Sequence, residues 1–493
     1  MEMRLTSSNL NFYQRSLASS KDLEFGLAQT RKGPILAVLA RSGSNANEAF
    51  DGEISEFGDH ILMLCPLNSC NASSLRNNLT WLKPRTLGLR TSTGMGDRLG
   101  IATPGHVRAV RDTQGKVAPI FAQQSIREMR RTGRSPQQVM DDATWGIFEE
   151  GWQGGIGSDA DHLKTKADID SCIAAGFTLF TIDPGEYVDN NGQKKNNHQL
   201  TKQLELLPEY LQPKATGLLG KSFDIEGFQL FVDEAALLKA ITKYGKAVAH
   251  VKNMYEYLVQ IAGKHPFEVE VSMDETETPT SPIEHVYIAS ELRRLGVKWI
   301  SFAPRFVGRF EKGVDYIGDL NAFETDMAVH AAIARQFGPY KLSLHSGSDK
   351  FSIYRMFMEK TNGLAHLKTA GTSYLEALRT IAALDRDLFK EIYIFALEHF
   401  DADKLSYHIS AQINKAPKPS EIKDWPGLLD LFDAREILHV TFGSVLTEKR
   451  GDGKMRFYDR LMSVLYANRE TYFDNLEYHF RRHLKPFSTL SEG

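Results

Sequence analysis

The strongest constraint on how this chain folds is a rhythm. From residue 87 onward, short apolar runs end in polar or glycine-rich residues and are followed by stretches with helical spacing. The runs are Leu87–Thr91, Val117–Ala122, Gln153–Gly157, Thr178–Ile182, Phe267–Met273, Trp299–Ala303, Lys341–His345 and Leu364–Lys368. Strands that alternate with helices pair in parallel through crossovers, and about eight such units suit a closed barrel better than an open sheet. The expected fold is therefore α/β, a (β/α)8 TIM-type barrel over 85–447. A small N-terminal α/β extension over 1–84 would rest on Pro34–Leu39 and His60–Leu67. A helical insertion is expected after strand 4, over about 189–264, where Ala236, Leu237, Ala240, Ile241, Val248, Val251, Met254, Tyr255 and Leu258 keep helical spacing. A C-terminal helical segment would occupy 448–493.

Composition narrows the function classes. The 493 residues carry a formal net charge of −3. Binding to nucleic acid or to a membrane surface needs a clustered positive field, so neither partner is expected. Cys65, Cys70 and Cys172 form neither a disulfide framework nor a zinc knuckle. Met1 to Ser20 lack the apolar core of a secretory signal, and no apolar run approaches the ~20 residues that span a bilayer. A cytoplasmic protein is expected. Gly154-Gly155-Ile156-Gly157 does not fit the dinucleotide fingerprint and no P-loop is present, so no nucleotide cofactor is expected.

Barrel chemistry sits at the C-terminal ends of strands. The polar residues ending the apolar runs are Asp161-His162, Asp183, Glu270 with Asp274, Arg305, His345, and His366 with Lys368. Imidazoles and carboxylates without thiolate suit a divalent ion: zinc, nickel, cobalt, manganese or iron. His162, Glu270 and His345 are the expected ligands. Alternation puts Glu268, Glu270, Ser272 and Asp274 on one side of their strand. A charge inside a barrel strand is costly unless paired or metal-bound, which favours a role for Glu270 and Asp274 and leaves Glu268 structural. Asp161 beside His162 suggests a division of labour, proton carrier beside ligand. The competing reading is a helix N-cap, which Ser158, Asp159 and Asp161 all suit. Asp161 and Asp274 are the acid/base candidates.

An anionic substrate needs cations and N–H groups. Ser346 and Gly347, in the small-residue loop after His345, offer N–H groups, and Lys350 offers charge. Arg90, Gln124, Arg305 and Lys312 are further substrate-binding candidates. Asp183 could serve catalysis or simply the turn at Pro184-Gly185; His366 could be a ligand or a packed ring, and His439 is similar. His106, His285, His330, His399 and His408 sit in helical or loop contexts that favour structural roles.

Four stretches together carry a resemblance. Thr93-Gly94-Met95-Gly96-Asp97-Arg98-Leu99-Gly100, Ser158-Asp159-Ala160-Asp161-His162-Leu163-Lys164-Thr165, Leu344-His345-Ser346-Gly347-Ser348-Asp349-Lys350-Phe351 and His439-Val440-Thr441-Phe442-Gly443-Ser444 resemble the tagaturonate epimerase family. The resemblance implies a barrel, a divalent metal and a hexuronate ketose, with D-tagaturonate and D-fructuronate interconverted at C4. That carbon is β to the C2 ketone, so its C–H is not acidified. Cleaving C3–C4 to an enediolate and an aldehyde, then re-forming the bond on the other face, is the better route, with a metal stabilising the enediolate. Three other functions compete: a metal-dependent aldolase that releases its fragments, a ketose isomerase, and a non-catalytic sugar-acid binding protein.

Overall fold

Two apolar strands lie side by side within the N-terminal sheet, each paired with a further strand on its other edge. The computed structural model describes residues 3–30, 33–191, 195, 197–205 and 207–489. Met1 and Glu2, residues 192–194, 196 and 206 of the expected insertion, and 490–493 of the expected C-terminal segment lie outside these. The N-terminal sheet is antiparallel, with strands β1 (Ala18–Ser20), β2 (Leu23–Thr30), β3 (Gly33–Arg41), β4 (Glu53–Phe57) and β5 (His60–Cys65) in the order β1-β2-β3-β5-β4. Strands β3 and β5 are the two expected from sequence. The edge strand β4 is largely exposed and has no apolar run to betray it. The next helix, Ser69–Asn78, meets the helix Pro136–Glu149, where Arg76 donates to Asp141 at 2.8 Å and to Thr144 at 2.7 Å.

The expected barrel is present. Strands β6 (Ser92–Met95), β7 (Ala118–Ser125), β8 (Gly157–Leu163) and β9 (Leu179–Ile182) lead to the insertion. It contains the helix Asn197–Leu204, a hairpin of β10 (Ser222–Ile225) and β11 (Phe228–Phe231), and the long helix Glu234–Ala262, capped by the Asp233 carboxylate on Ala236 N–H. The insertion is thus helical with a small hairpin. Strands β12 (Glu268–Ser272), β13 (Ser301–Ala303), β14 (Lys341–Leu344) and β15 (Ala365–Thr369) follow. All eight barrel strands pair in parallel and close in the order β12-β13-β14-β15-β6-β7-β8-β9. Helices dominate the rest of the described chain. Among the described residues no helix is long and apolar enough to cross a membrane.

Two strands lie C-terminal to their expected positions. The first begins at Ser92 rather than Leu87. Leu87 is instead a floor plug, packed with Ala118, Ile120 and Leu179, and the N–H groups of Leu87 and Gly88 donate to Glu268. Glu268 therefore satisfies a buried turn, a structural use. The third strand begins at Gly157, where the expected run ends. Its residues Gly-Ser-Asp-Ala-Asp-His-Leu are all buried although four are polar, because they face charges rather than hydrocarbon. Apolar periodicity cannot find such a strand.

Candidate active site

Strand β8 presents two consecutive residues to the same space, which alternation alone forbids. Pairing with β9 shifts register between Ala160 and Leu163, and His162 takes a left-handed φ of 56°. A bulge that re-aims a side chain in this way costs about 1–2 kcal/mol of backbone strain at a residue with a Cβ. The result is that the Asp161 Oδ1 and His162 Nδ1 atoms lie 2.8 Å apart. The following helix is capped by Thr165, which accepts from Asp168 N–H, so the N-cap reading of Asp161 is not what the fold uses.

His345 follows β14 and brings the second imidazole, with its ring centroid 5.0 Å from that of His162. Its two nitrogens are flanked by carboxylates: Nε2 lies 2.5 Å from Glu270 Oε1 and Nδ1 lies 3.1 Å from Asp274 Oδ1. Ser272 donates to the same Asp274 oxygen at 2.6 Å. Beneath them Lys368 reaches Asp161 at 2.7 Å, Asp159 at 2.8 Å, Glu270 at 2.7 Å and the Thr181 hydroxyl at 2.8 Å. Gln123 donates to the other oxygen of Asp161 at 3.1 Å.

Burial disfavours charge on His345, His162, Glu270 and Asp161, yet the network overrides it. Burial and Lys368 oppose the charge on His345, but Asp274 and Glu270 hold its imidazole up at about 10. His162 is raised as well: burial opposes its charge, but Asp161 prevails. Against burial, Lys368 and His345 hold Glu270 well below the usual carboxylate range, and His162 and Lys368 do the same to Asp161. Both imidazoles are thus drawn toward the cationic form. That is the signature of a site with surplus negative charge.

The donor chemistry fits a divalent cation. Asp161, His162 and His345 offer ligand atoms within 4.8 Å of one another, and so do His162, Asp183 and Glu275. Glu270 Oε2 is buried without a hydrogen-bond partner. Of the expected ligands His162, Glu270 and His345, the two imidazoles belong to the tight trio. Asp161 rather than Glu270 completes it, and Glu270 bonds to the His345 ring.

A cavity opens above this floor, lined by Asp274, Glu275, His345, Ser346, Arg127, Arg305 and Lys312, with Phe306 and Phe310 as an apolar wall. Arg305 Nε has no hydrogen-bond partner. Burial, together with Arg127, lowers the Lys312 ammonium from its ordinary value. Asp183, after β9, accepts from Gly185 N–H at 2.8 Å and lies 3.6 Å from Lys164.

Several sequence candidates lie elsewhere. Lys350 is fully buried and donates to the carbonyls of Glu311, Val314 and Ser348, so its ammonium is already satisfied away from the cavity. Gly347 N–H donates to Lys368 O at 3.1 Å, and a Cβ there would lie 2.3 Å from Leu367 Cδ1; tight packing explains this glycine without an anion. Arg90 is exposed at the N-terminal end of β6, opposite the mouth, and donates to Gly115 O. Gln124 accepts from Arg134 at 2.8 Å, while its neighbour Gln123 is the one that reaches Asp161. His366 packs inside the barrel on Ser92 at 2.9 Å. Conversely, Arg127, Glu275, Tyr407 and His408 line the cavity and were given no functional role from sequence. Arg127 pairs with Glu275 at 2.9 Å.

A closed (β/α)8 barrel with an ionic, imidazole-bearing mouth defines an enzyme of the TIM-barrel class. A family model described as tagaturonate epimerase matches residues 13–487, and the chain belongs to that family. It is 44% identical over 474 residues to a tagaturonate/fructuronate epimerase of Thermotoga maritima, covering 96% of each chain. Crystal structures of a fructuronate-tagaturonate epimerase from Cohnella laeviribosi match at 37% identity over 98% of each chain. TM-scores are 0.91 for the native form and 0.92 for a form complexed with two glycerols. The protein is accordingly an isomerase of the epimerase type.

Proposed function

We propose that this epimerase interconverts D-tagaturonate and D-fructuronate by breaking and re-forming the C3–C4 bond at a divalent-cation site. The observation that carries the reading is the meeting of Asp161, His162 and His345 within ligand distance of one another on a floor with surplus negative charge. His162, His345 and Asp161 would hold the cation, and Glu270 would orient the His345 ring, as carboxylates commonly orient ligating histidines. When bound, the ion supplies Lewis-acid charge to a ketose carbonyl.

The chain's own groups supply the rest. Asp274 lines the cavity, and its hydrogen bonds engage only Oδ1. It is therefore placed to take the proton of the C4 hydroxyl as C3–C4 breaks, with the bonding pair moving into the C2 carbonyl. Asp161 would be held by the cation and is steadied by His162, Lys368 and Gln123, which favours Asp274 as the proton carrier. Arg305 and Lys312, with Ser346 beside them, suit the substrate carboxylate and would retain the aldehyde fragment while it turns. The proton then returns from Asp274 as the bond re-forms on the opposite face.

The test is direct. Protein stripped with a chelator should lose interconversion of the two hexuronates, and added divalent ion should restore it. Full activity in the stripped protein would overturn the cation reading. Free three-carbon products accumulating in place of epimer would favour an aldolase.

A further inference from the structure

Beneath the proposed cation site, four oxygens surround one ammonium. Lys368 Nζ lies 2.7 Å from Asp161, 2.8 Å from Asp159, 2.7 Å from Glu270 and 2.8 Å from Thr181 Oγ1. Thr181 in turn donates to Asp159 at 2.9 Å. Lys368 is 1% exposed, so these contacts take the place of water. Two of its partners lead to the imidazoles: Asp161 to His162 at 2.8 Å, and Glu270 to His345 at 2.5 Å.

We infer that Lys368 is the positioning residue of the cation site, a built-in monovalent cation that aims both imidazoles through the carboxylates it holds. The inference rests on the cation reading above. A covalent role is disfavoured, because four oxygens within 2.8 Å already engage the Lys368 nitrogen and leave no open side for a carbonyl carbon. The physical logic is charge balance. Three buried carboxylates need an internal cation beside them, and Lys368 fixes the place of two of them, Asp161 against His162 and Glu270 against His345, so that one divalent ion completes the site.

The test titrates cobalt(II) alone into the full-length protein and follows its visible d–d absorption. The wild type should bind one equivalent. The double variant Asp159→Asn with Lys368→Met removes one positive and one negative charge together, so the field at the imidazoles changes little and positional loss dominates. Its cobalt affinity should fall by roughly 10- to 100-fold, the usual effect of removing an outer-shell partner, and the absorption bands should change. Thr181→Val, a milder change that leaves every charge in place, should shift affinity and bands in the same direction by about threefold. Affinities within twofold of wild type and unchanged bands in both variants would overturn the role of Lys368 while leaving the cation reading intact. Absence of cobalt binding to the wild type would overturn both.

Discussion

Replacing Arg305 by Met separates substrate recognition from folding. The guanidinium lines the cavity just after β13. Its Nε has no hydrogen-bond partner, and among the described residues no carboxylate pairs with it. The backbone N–H, which donates to Thr280 Oγ1 at 3.0 Å, is untouched by the change. The variant should therefore keep its thermal stability to within about 0.5 kcal/mol, as for substitutions that break no internal contact. A hydrogen bond to an ionised group contributes about 1.5–3 kcal/mol. Losing one to the substrate carboxylate should lower kcat/KM for tagaturonate by roughly 10- to 150-fold, at tenfold per 1.4 kcal/mol. The assay is steady-state epimerisation of tagaturonate beside a melting curve. A kcat/KM within twofold of wild type, at unchanged stability, would refute the assignment.

Three further outcomes are expected. His345→Ala should lose both cobalt binding and activity, measured by titration and turnover; retention of both would remove His345 from the site. Gly371→Ala places a Cβ 1.8 Å from His439 Nε2 at a backbone with ordinary φ, so the overpacking should cost about 1–3 kcal/mol in denaturant unfolding. Glu436 is raised to about 9 by burial and by Glu311 beside it, so the folded chain keeps a proton that the unfolded chain loses above about 4.5. Its contribution to stability is full below that point and is lost as pH rises toward 9. Glu436→Gln should therefore be the more stable protein at pH 8, by more than the roughly 1.4 kcal/mol of one pKa unit, and this advantage should vanish near pH 4.

The barrel was legible because most of its strands are apolar runs covered on both faces, and the residues after β13 and β14 followed from where such folds place chemistry. What escaped has identifiable physical causes. Strand β8 runs on past the expected Gln153–Gly157 without an apolar run to mark it, because its inward side chains pair with Lys368 instead of packing on hydrocarbon. The bulge that turns His162 to the mouth has no glycine to announce it. Gln124, the residue the sequence singles out, accepts from Arg134, while its neighbour Gln123 reaches Asp161; one residue of register decides which of the two meets the site. Tyr407 and His408 reach the cavity from the C-terminal helical region, far along the chain, so no local pattern marks them. Lys350 carried the right charge but found three carbonyls of its own.

Isotope incorporation from solvent probes the chemistry most directly. With tagaturonate turned over in heavy water by the cation-loaded protein, the fructuronate formed should carry ordinary hydrogen at C4, since the bond that breaks is to carbon. Deuterium at that position would mean the C–H itself is exchanged, and the floor of imidazoles and carboxylates would need a different chemistry.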